Sequence, residues 1–308
     1  MNLQQVSRED AAPVMARQFT ESYPGYPQSP AEILAYEGHA LEGAHEEHWT
    51  NDEGTVAIAL FAPDETRPPL RIEGEVHTSD DANYPHAVQF AEERTRAVGT
   101  RDLSIWTRSD KSLRRMTLES RGYTLIQTAP SSKLDIEAFD ESRLEAKITS
   151  CRYPVLTIAE LAVRGFDWLP ALYEATDEMA RDVPDPHDYV QIPYEQYAER
   201  LKNSMVYDHR LMFVAMDGEQ IIGYTRVTPY QLDPTLVATG LSGVLRAYRR
   251  QGVVTALKVR AILALRDLGF KWLRTENDVT NPMYQLNLDL GFEWEWDWLQ
   301  FGKSLQAD

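Results

Sequence analysis

Leu241-Ser-Gly-Val-Leu-Arg-Ala-Tyr-Arg-Arg-Gln-Gly-Val-Val-Thr255 is the stretch from which the rest of the chain can be read. It continues a β-run, Leu236 to Leu245, rich in Leu, Val and Thr. It then turns through Arg249, Arg250, Gln251 and Gly252 into a helical pattern, with Val253, Leu257, Ala261, Ala264 and Leu268 at helical spacing. A strand, a short basic loop with one glycine and a helix N-terminus suit a diphosphate. The first backbone N–H groups of a helix have no intrahelical acceptor, and the helix dipole adds partial positive charge there. Gly252 leaves room for phosphate oxygens where a Cβ would intrude. Arg249 and Arg250 can add charge-assisted hydrogen bonds.

Two later segments sharpen this reading. Lys271 to Asn277 is predicted as another strand, and Asn281-Pro-Met-Tyr-Gln-Leu-Asn-Leu-Asp-Leu-Gly-Phe292 as a short helix closed at Gly291. The succession over residues 210–302 resembles the GNAT superfamily of acyl-CoA-dependent N-acyltransferases. Arg249-x-x-Gly252-x-Val254 is similar to that family's pyrophosphate loop, with Val where Gly or Ala is usual. Leu290-Gly291-Phe292 is similar to its helix-closing Leu-Gly-Phe. The resemblance implies an α/β fold built on mixed, mostly antiparallel sheets flanked by helices.

Length and composition bound the rest. A chain of 308 residues favours two domains, each with its own core. No apolar run approaches the roughly 20 residues that span a bilayer, and the N-terminus lacks the apolar core of a secretory signal. A cytoplasmic location is the expectation. Cys151 is the single cysteine, so neither an intramolecular disulfide nor a cysteine metal cluster is expected. His45 and His48, three apart among glutamates, are the nearest approach to a metal spacing, and no metal is expected. The net charge of −17 argues against nucleic acid and anionic membranes as partners. It divides as −11 over residues 1–150 and −6 over 151–308, so the half with the basic loop is the less acidic one.

In chain order the predicted elements run as follows. Strand Leu3–Val6 precedes a helix from Arg8 capped by Ser7, and Ala31 to Leu41 is helical again. Strands Thr55–Phe61 and Leu70–His77 lead to a helix over Tyr84–Ala97. Strand Asp102–Thr107, helix Ser112–Arg121 and strand Leu125–Ile136 close the first half. The second half repeats this order, ending in Phe292 to Phe301. The clearest internal match sets Leu103-Ser-Ile-Trp-Thr…Leu118-Glu-Ser-Arg-Gly122-Tyr123 against Trp272-Leu-Arg-Thr…Leu288-Asp-Leu-Gly291-Phe292. A repeat of this length is a duplicated domain rather than a solenoid. The expected division is 1–148 and 149–308, similar to the tandem arrangement of mycothiol synthase and related two-domain GNAT proteins.

The first copy lacks the loop chemistry. Val76-His-Thr-Ser-Asp80-Asp81-Ala-Asn-Tyr-Pro-His86 occupies the place of Val244 to Val254, with aspartates where the second copy has arginines. A carboxylate near a diphosphate repels it, and Pro85 removes a backbone donor. An acyl-CoA site is therefore expected only in the second copy.

Acyl transfer from a thioester to an amine needs the thioester held beside the nucleophile, a donor for the tetrahedral oxyanion, and proton handling at both ends. The resemblance implies that Val244 and Leu245 pair with the pantetheine arm, with the Leu245 N–H at the thioester carbonyl. Arg249, Arg250, Gln251, Gly252, Val253, Val254 and Thr255 would hold the diphosphate. The family commonly has a tyrosine general acid where this chain has Asn287, and Tyr284 is the candidate substitute. Asn277, Asn281 and Asn287 would bond the pantetheine or sulfur, and Asn281 equally reads as a helix cap. Glu276 is the candidate base, with Glu178, Asp182 and Asp185 as further carboxylates around the acceptor mouth. The alternating Phe292-Glu-Trp294-Glu-Trp296-Asp-Trp298 reads as the core face of a last strand. The expected function is acetyl-CoA-dependent N-acetylation of a small, preferably cationic amine, by a monomer or homodimer. The alternative is an acyl-CoA-binding sensor or scaffold without turnover.

Overall fold

Ser7 opens the first helix as its residue type predicts: after β1 (Leu3–Val6), its hydroxyl accepts from the Asp10 N–H at 3.1 Å and caps α1 (Arg8–Ser22). The computed structural model describes residues 2–37, 44–63, 68–186, 188–203 and 207–305, with the side chains of 143, 146, 147 and 150 excluded. Next come α2 (Pro30–Glu37) and β2 (Glu46–Asn51). The helix expected over Ala31 to Leu41 is observed as far as Glu37, and positions 38–41 lie outside the described residues. β2 escaped sequence reading because Glu-Glu-His-Trp-Thr-Asn has neither an apolar run nor apolar alternation. It is held by its neighbours, pairing antiparallel with β1 and with β3 (Val56–Phe61).

β3 shows why a continuous apolar run marks a strand covered on both faces. Ile58 and Leu60 join one core with Ala87 and Ala91 of α3 (Tyr84–Ala97), while Ala57 and Ala59 join another with Ala12 and Met15 of α1. β4 (Arg71–Thr78) pairs antiparallel with β3 and parallel with β5 (Asp102–Arg108). α4 (Ser112–Ser120) and β6 (Thr124–Asp135) follow.

The remaining elements are α5 (Glu145–Ser150), β7 (Val155–Thr157), α6 (Ile158–Val163), α7 (Trp168–Ala180), α8 (Tyr194–Asn203), β8 (Met212–Asp217), β9 (Gln220–Pro229) and β10 (Leu236–Val244). Then come α9 (Val253–Asp267), β11 (Trp272–Glu276), α10 (Pro282–Asp289) and β12 (Glu293–Ser304). α5 and α6 are additions to the predicted set. Thr157 and Glu160 form a reciprocal capping box that starts α6.

The chain divides into two units, Met1–Ala129 with Trp296–Asp308, and Pro130–Glu295. This differs from a cut at 148/149, and the reason lies in two strands. In the first unit, β12 supplies the sheet neighbour of β5, from Trp298 opposite Arg108 to Ser304 opposite Asp102. In the second, the end of β6 pairs with β11, from Ser131 opposite Glu276 to Asp135 opposite Trp272. The segment that ends each sequence repeat thus completes the other unit's sheet. β12 also departs from the predicted core strand: Trp294 is 55 % exposed, and the Trp296 ring lies 4.5 Å from the Arg108 guanidinium carbon.

Within the second unit the strand order is β6-β11-β10-β9-β8-β7. Its core gathers Leu172 of α7, Phe213 and Val214 of β8, Ile222 of β9, and Leu257 and Ile262 of α9.

Candidate active site

β10 and β11 run parallel, and their pairing spans Leu236 to Ala238 against Trp272 to Arg274. Beyond Ala238, β10 continues to Val244 in antiparallel register with β9. The Leu245 N–H donates to the Ile222 carbonyl at 2.9 Å, which makes 245 and 222 a hydrogen-bonded pair. Antiparallel pairs alternate, so the Ser242 and Val244 N–H groups turn away from β9, toward the edge that β11 has left. Leu245 is therefore not the outward donor that the family resemblance implied; Val244 is. The assignment slipped by one residue because a one-residue offset in a strand reverses the direction of every backbone group.

A cleft of about 650 Å³ opens at this edge, lined by Ser242 to Val244, Arg249, Arg250, Gly252 to Thr255 and the start of α10. The Gly252 carbonyl accepts from the Ala256 N–H at 3.0 Å, which leaves the N–H groups of the first turn of α9 without intrahelical acceptors. Gly252 is the N-cap, with φ of +77°, and Arg250 also adopts a positive φ, 61°. The glycine is thus required by the backbone as well as by the room its missing side chain leaves.

Other loop residues are committed elsewhere. Gln251 accepts from the Tyr153 hydroxyl at 3.1 Å and donates to the Ala247 carbonyl at 3.2 Å, and it is not among the cleft-lining residues. Arg249 donates to the Val244 carbonyl at 3.2 Å and pairs with Asp182. Asp182 also accepts from the Arg246 side chain at 2.9 Å, and Glu178 accepts from the Arg246 N–H at 2.8 Å. The guanidinium donors of Arg246 and then Arg249 hold the Asp182 carboxyl far below the usual carboxylate range. A carboxylate so occupied is a weaker proton acceptor than a free one. The expectation that Asp182 serves the acceptor is corrected: it serves the arginine loop.

On α10 the cap reading of Asn281 is the observed one, its Oδ1 accepting from the Met283 N–H at 2.9 Å, while Asn281 also lines the cleft. Asn287 is fully buried, and its Nδ2 donates to Asn277 Oδ1 at 2.6 Å. The two asparagines tie α10 to the end of β11. Tyr284 is half-buried, and neither it nor Glu276 is among the cleft-lining residues. Glu276 accepts from the Ser131 hydroxyl at 3.1 Å. Arg246, Met179 and Leu286 were missed by sequence reading. The last two line the cleft as apolar residues whose helical spacing reads as core.

In the first unit the corresponding junction carries different chemistry. Asp80 caps the next turn by accepting from the Ala82 N–H at 2.9 Å. Arg114, only 2 % exposed, donates to Asp81 at 2.8 Å, to the Thr78 carbonyl at 3.0 Å and to Ser22 at 3.0 Å. An internal guanidinium bound to the chain's own oxygens thus sits at the end of β4.

These features define a protein with an anion-ready helix start beside two diverging parallel strands. Residues 169–292 match the acetyltransferase (GNAT) family model. No curated protein matches the chain. Among solved structures, the chain is similar to a tandem GNAT protein from the clavulanic acid biosynthesis pathway, with TM-score 0.68 and 16% identity over 100% of this chain and 99% of that one. It is also similar to a GCN5-related N-acetyltransferase from Sphaerobacter thermophilus, with TM-score 0.66 and 15% identity over 99% and 96%. A GNAT-family acetyltransferase from Colwellia psychrerythraea gives 0.62 and 8% over 99% and 100%. At these identities the likeness is one of fold, and the fold is the tandem GNAT arrangement. Among the described residues no helix is long and apolar enough to cross a membrane, and no group of three or more His, Cys, Asp or Glu could hold a metal ion.

Proposed function

We propose that the second unit is an acetyl-CoA-dependent N-acetyltransferase acting on a small amine. The observation that carries this reading is the continuity of one edge: the outward N–H groups of Ser242 and Val244 lead directly to the uncapped first turn of α9. The diphosphate would lie at Gly252 to Thr255 with Arg249 and Arg250 beside it, and the pantetheine along β10. In the reaction the amine nitrogen, as free base, attacks the thioester carbonyl carbon and forms the C–N bond. The Val244 N–H is positioned to donate to the oxyanion. The nitrogen then passes its extra proton to solvent water, the C–S bond breaks, and the coenzyme leaves as a thiolate. That thiolate is a tolerable leaving group near neutral pH, so the chemistry does not depend on an acid at position 284 or 287.

The first unit, on this reading, does not bind acyl-CoA, because Asp81 and Arg114 pair with each other, Arg114 also bonds the Thr78 carbonyl, and Asp80 caps the turn at Ala82. A second reading, acyl-CoA binding without turnover, is favoured by the positions of Glu276 and Tyr284 outside the cleft lining. Calorimetry with acetyl-CoA, followed by thiol release across a panel of amines, separates the two. One equivalent bound per chain together with amine-dependent thiol release is the expected result. Binding without release leaves the sensor reading, and two equivalent sites refute the assignment of the first unit.

A further inference from the structure

Arg226 lies on β9, on the face opposite α9. Alternation puts it with Tyr224, whereas a Cβ on the intervening-face residue Gly223 would lie 2.9 Å from Leu257 and 3.0 Å from Val253, both on α9. Gly243, opposite Tyr224 in the ladder, marks the Arg226 side: a Cβ there would meet Met179 at 2.7 Å, near the end of α7. Arg226 also sits at an irregularity of β10. The register shifts between Thr239, opposite Val227, and Ser242, opposite Thr225, so Gly240 and Leu241 together face Arg226. A Cβ at Gly240 would lie 2.6 Å from the Arg226 Nε. The guanidinium therefore rests against the backbone of the bulge, two residues before Ser242, which lines the cleft.

Its surroundings do not neutralise it. The guanidinium carbon is 4.4 Å from the Tyr207 ring centroid, the Tyr207 hydroxyl is hydrogen-bonded to the guanidinium, and the other ionisable groups acting on it are the phenols of Tyr224 and Tyr197. Its Nε is enclosed and has no acceptor among the described residues, while the residue as a whole keeps some exposure. Arg246 and Arg249 of the same unit are matched by Asp182, and Arg274 by Glu295. An enclosed guanidinium with no carboxylate partner among the described residues is costly to fold around and is suited to an anion that arrives later.

We propose that Arg226 anchors a carboxylate of the acceptor, so that the acylated amine belongs to an amino acid or a molecule built like one. The proposal rests on the acetyltransferase reading of the same unit. A guanidinium matches a carboxylate through two parallel hydrogen bonds, which orients the bound molecule as well as holding it. In an α-amino acid the nitrogen is two bonds from the carboxylate carbon. Docking on Arg226 therefore brings the nucleophile to the bulge of β10, at the end of the edge assigned to the pantetheine. The part-exposed Tyr207 ring beside the guanidinium offers a flat face to the rest of the molecule.

The test compares amines that differ only in the carboxylate: L-phenylalanine with phenethylamine, L-tyrosine with tyramine, L-histidine with histamine, and L-lysine with cadaverine. Thiol release from acetyl-CoA is measured for each with the full chain. The expected result is that at least one pair reacts, with kcat/KM favouring the amino acid by about tenfold or more. For that substrate, Arg226→Gln raises KM by about tenfold or more, Arg226→Lys recovers part of the loss, and the Kd for acetyl-CoA stays within about twofold. Should Arg226→Gln fail to fold, the paired substrates on the unaltered chain decide alone. The proposal is overturned if the decarboxylated amines react as well as the amino acids, or if acetyl-CoA binds and neither member of any pair is acylated. Failure to bind acetyl-CoA at all would instead refute the acetyltransferase reading, and the proposal with it.

Discussion

Gly252 is the residue whose replacement separates phosphate binding from folding. Its φ of +77° is a conformation that costs an ordinary L-residue roughly 1–2 kcal/mol, and a β-branched residue such as Val at least that much. Gly252→Val should therefore lower Tm by several degrees, since about 1 kcal/mol corresponds to roughly 2–4 °C in a domain of this size. A loss of acetyl-CoA affinity in that variant has two causes mixed together. Gly252→Asn removes the ambiguity, because asparagine enters the left-handed region readily yet places a side chain at the helix start. That side chain can cap α9 itself and occupy the room meant for phosphate oxygens. The expected outcome for Gly252→Asn is a Tm near that of the unaltered chain and a Kd for acetyl-CoA raised by about tenfold, equivalent to about 1.4 kcal/mol. Thermal melting and calorimetry measure the two quantities on the same sample. If Gly252→Asn binds acetyl-CoA normally, the diphosphate does not lie at this loop.

Asp182→Asn frees Arg246 and Arg249 from their shared carboxylate, so acetyl-CoA affinity should rise several-fold, most at low ionic strength, where exposed charges are least screened. Because these arginines depress the Asp182 pKa, its contribution to stability is present above the ordinary carboxylate range and is lost as pH falls below it. The affinity difference should therefore be flat between about pH 5 and 8, and a difference that vanishes within that window would count against the pairing. Lys258 of α9 is buried with no compensating charge among the described residues, and burial lowers its pKa from 10.5 to about 8. The folded state then resists protonation that the unfolded state accepts, so stability should rise with pH between about 8 and 10.5. Lys258→Met should stabilise the chain at pH 7 by up to about 3 kcal/mol, with the gain fading toward pH 10.5. A gain in Tm that does not change with pH would show that something other than charge burial is responsible.

Local chemistry carries much of this protein in its sequence. The strand, basic turn and helix around Gly252, the short helix closing at Leu290-Gly291-Phe292, and the capped start of α1 each depend on residues within a turn or two of one another. Periodicity, a positive-φ glycine and a cap are enough to find them. The contrast between Asp80 and Asp81 in the first unit and Arg249 and Arg250 in the second is likewise a property of the chain itself. What required tertiary structure was pairing between distant segments. The exchange of β6 and β12 moved the division away from residue 148, and β2 exists only because β1 and β3 flank it. The outward donor at Val244 rather than Leu245 follows from one hydrogen bond to Ile222, which no sequence pattern encodes. Asp182 meets its arginines across 64 and 67 residues of chain, and Arg226 meets the bulge at Gly240 across a ladder. Charge alone assigned those carboxylates to a cationic acceptor. Geometry spends Asp182 on the loop and leaves a guanidinium facing the bulge, because electrostatic roles depend on separations of a few ångströms that sequence distance does not report.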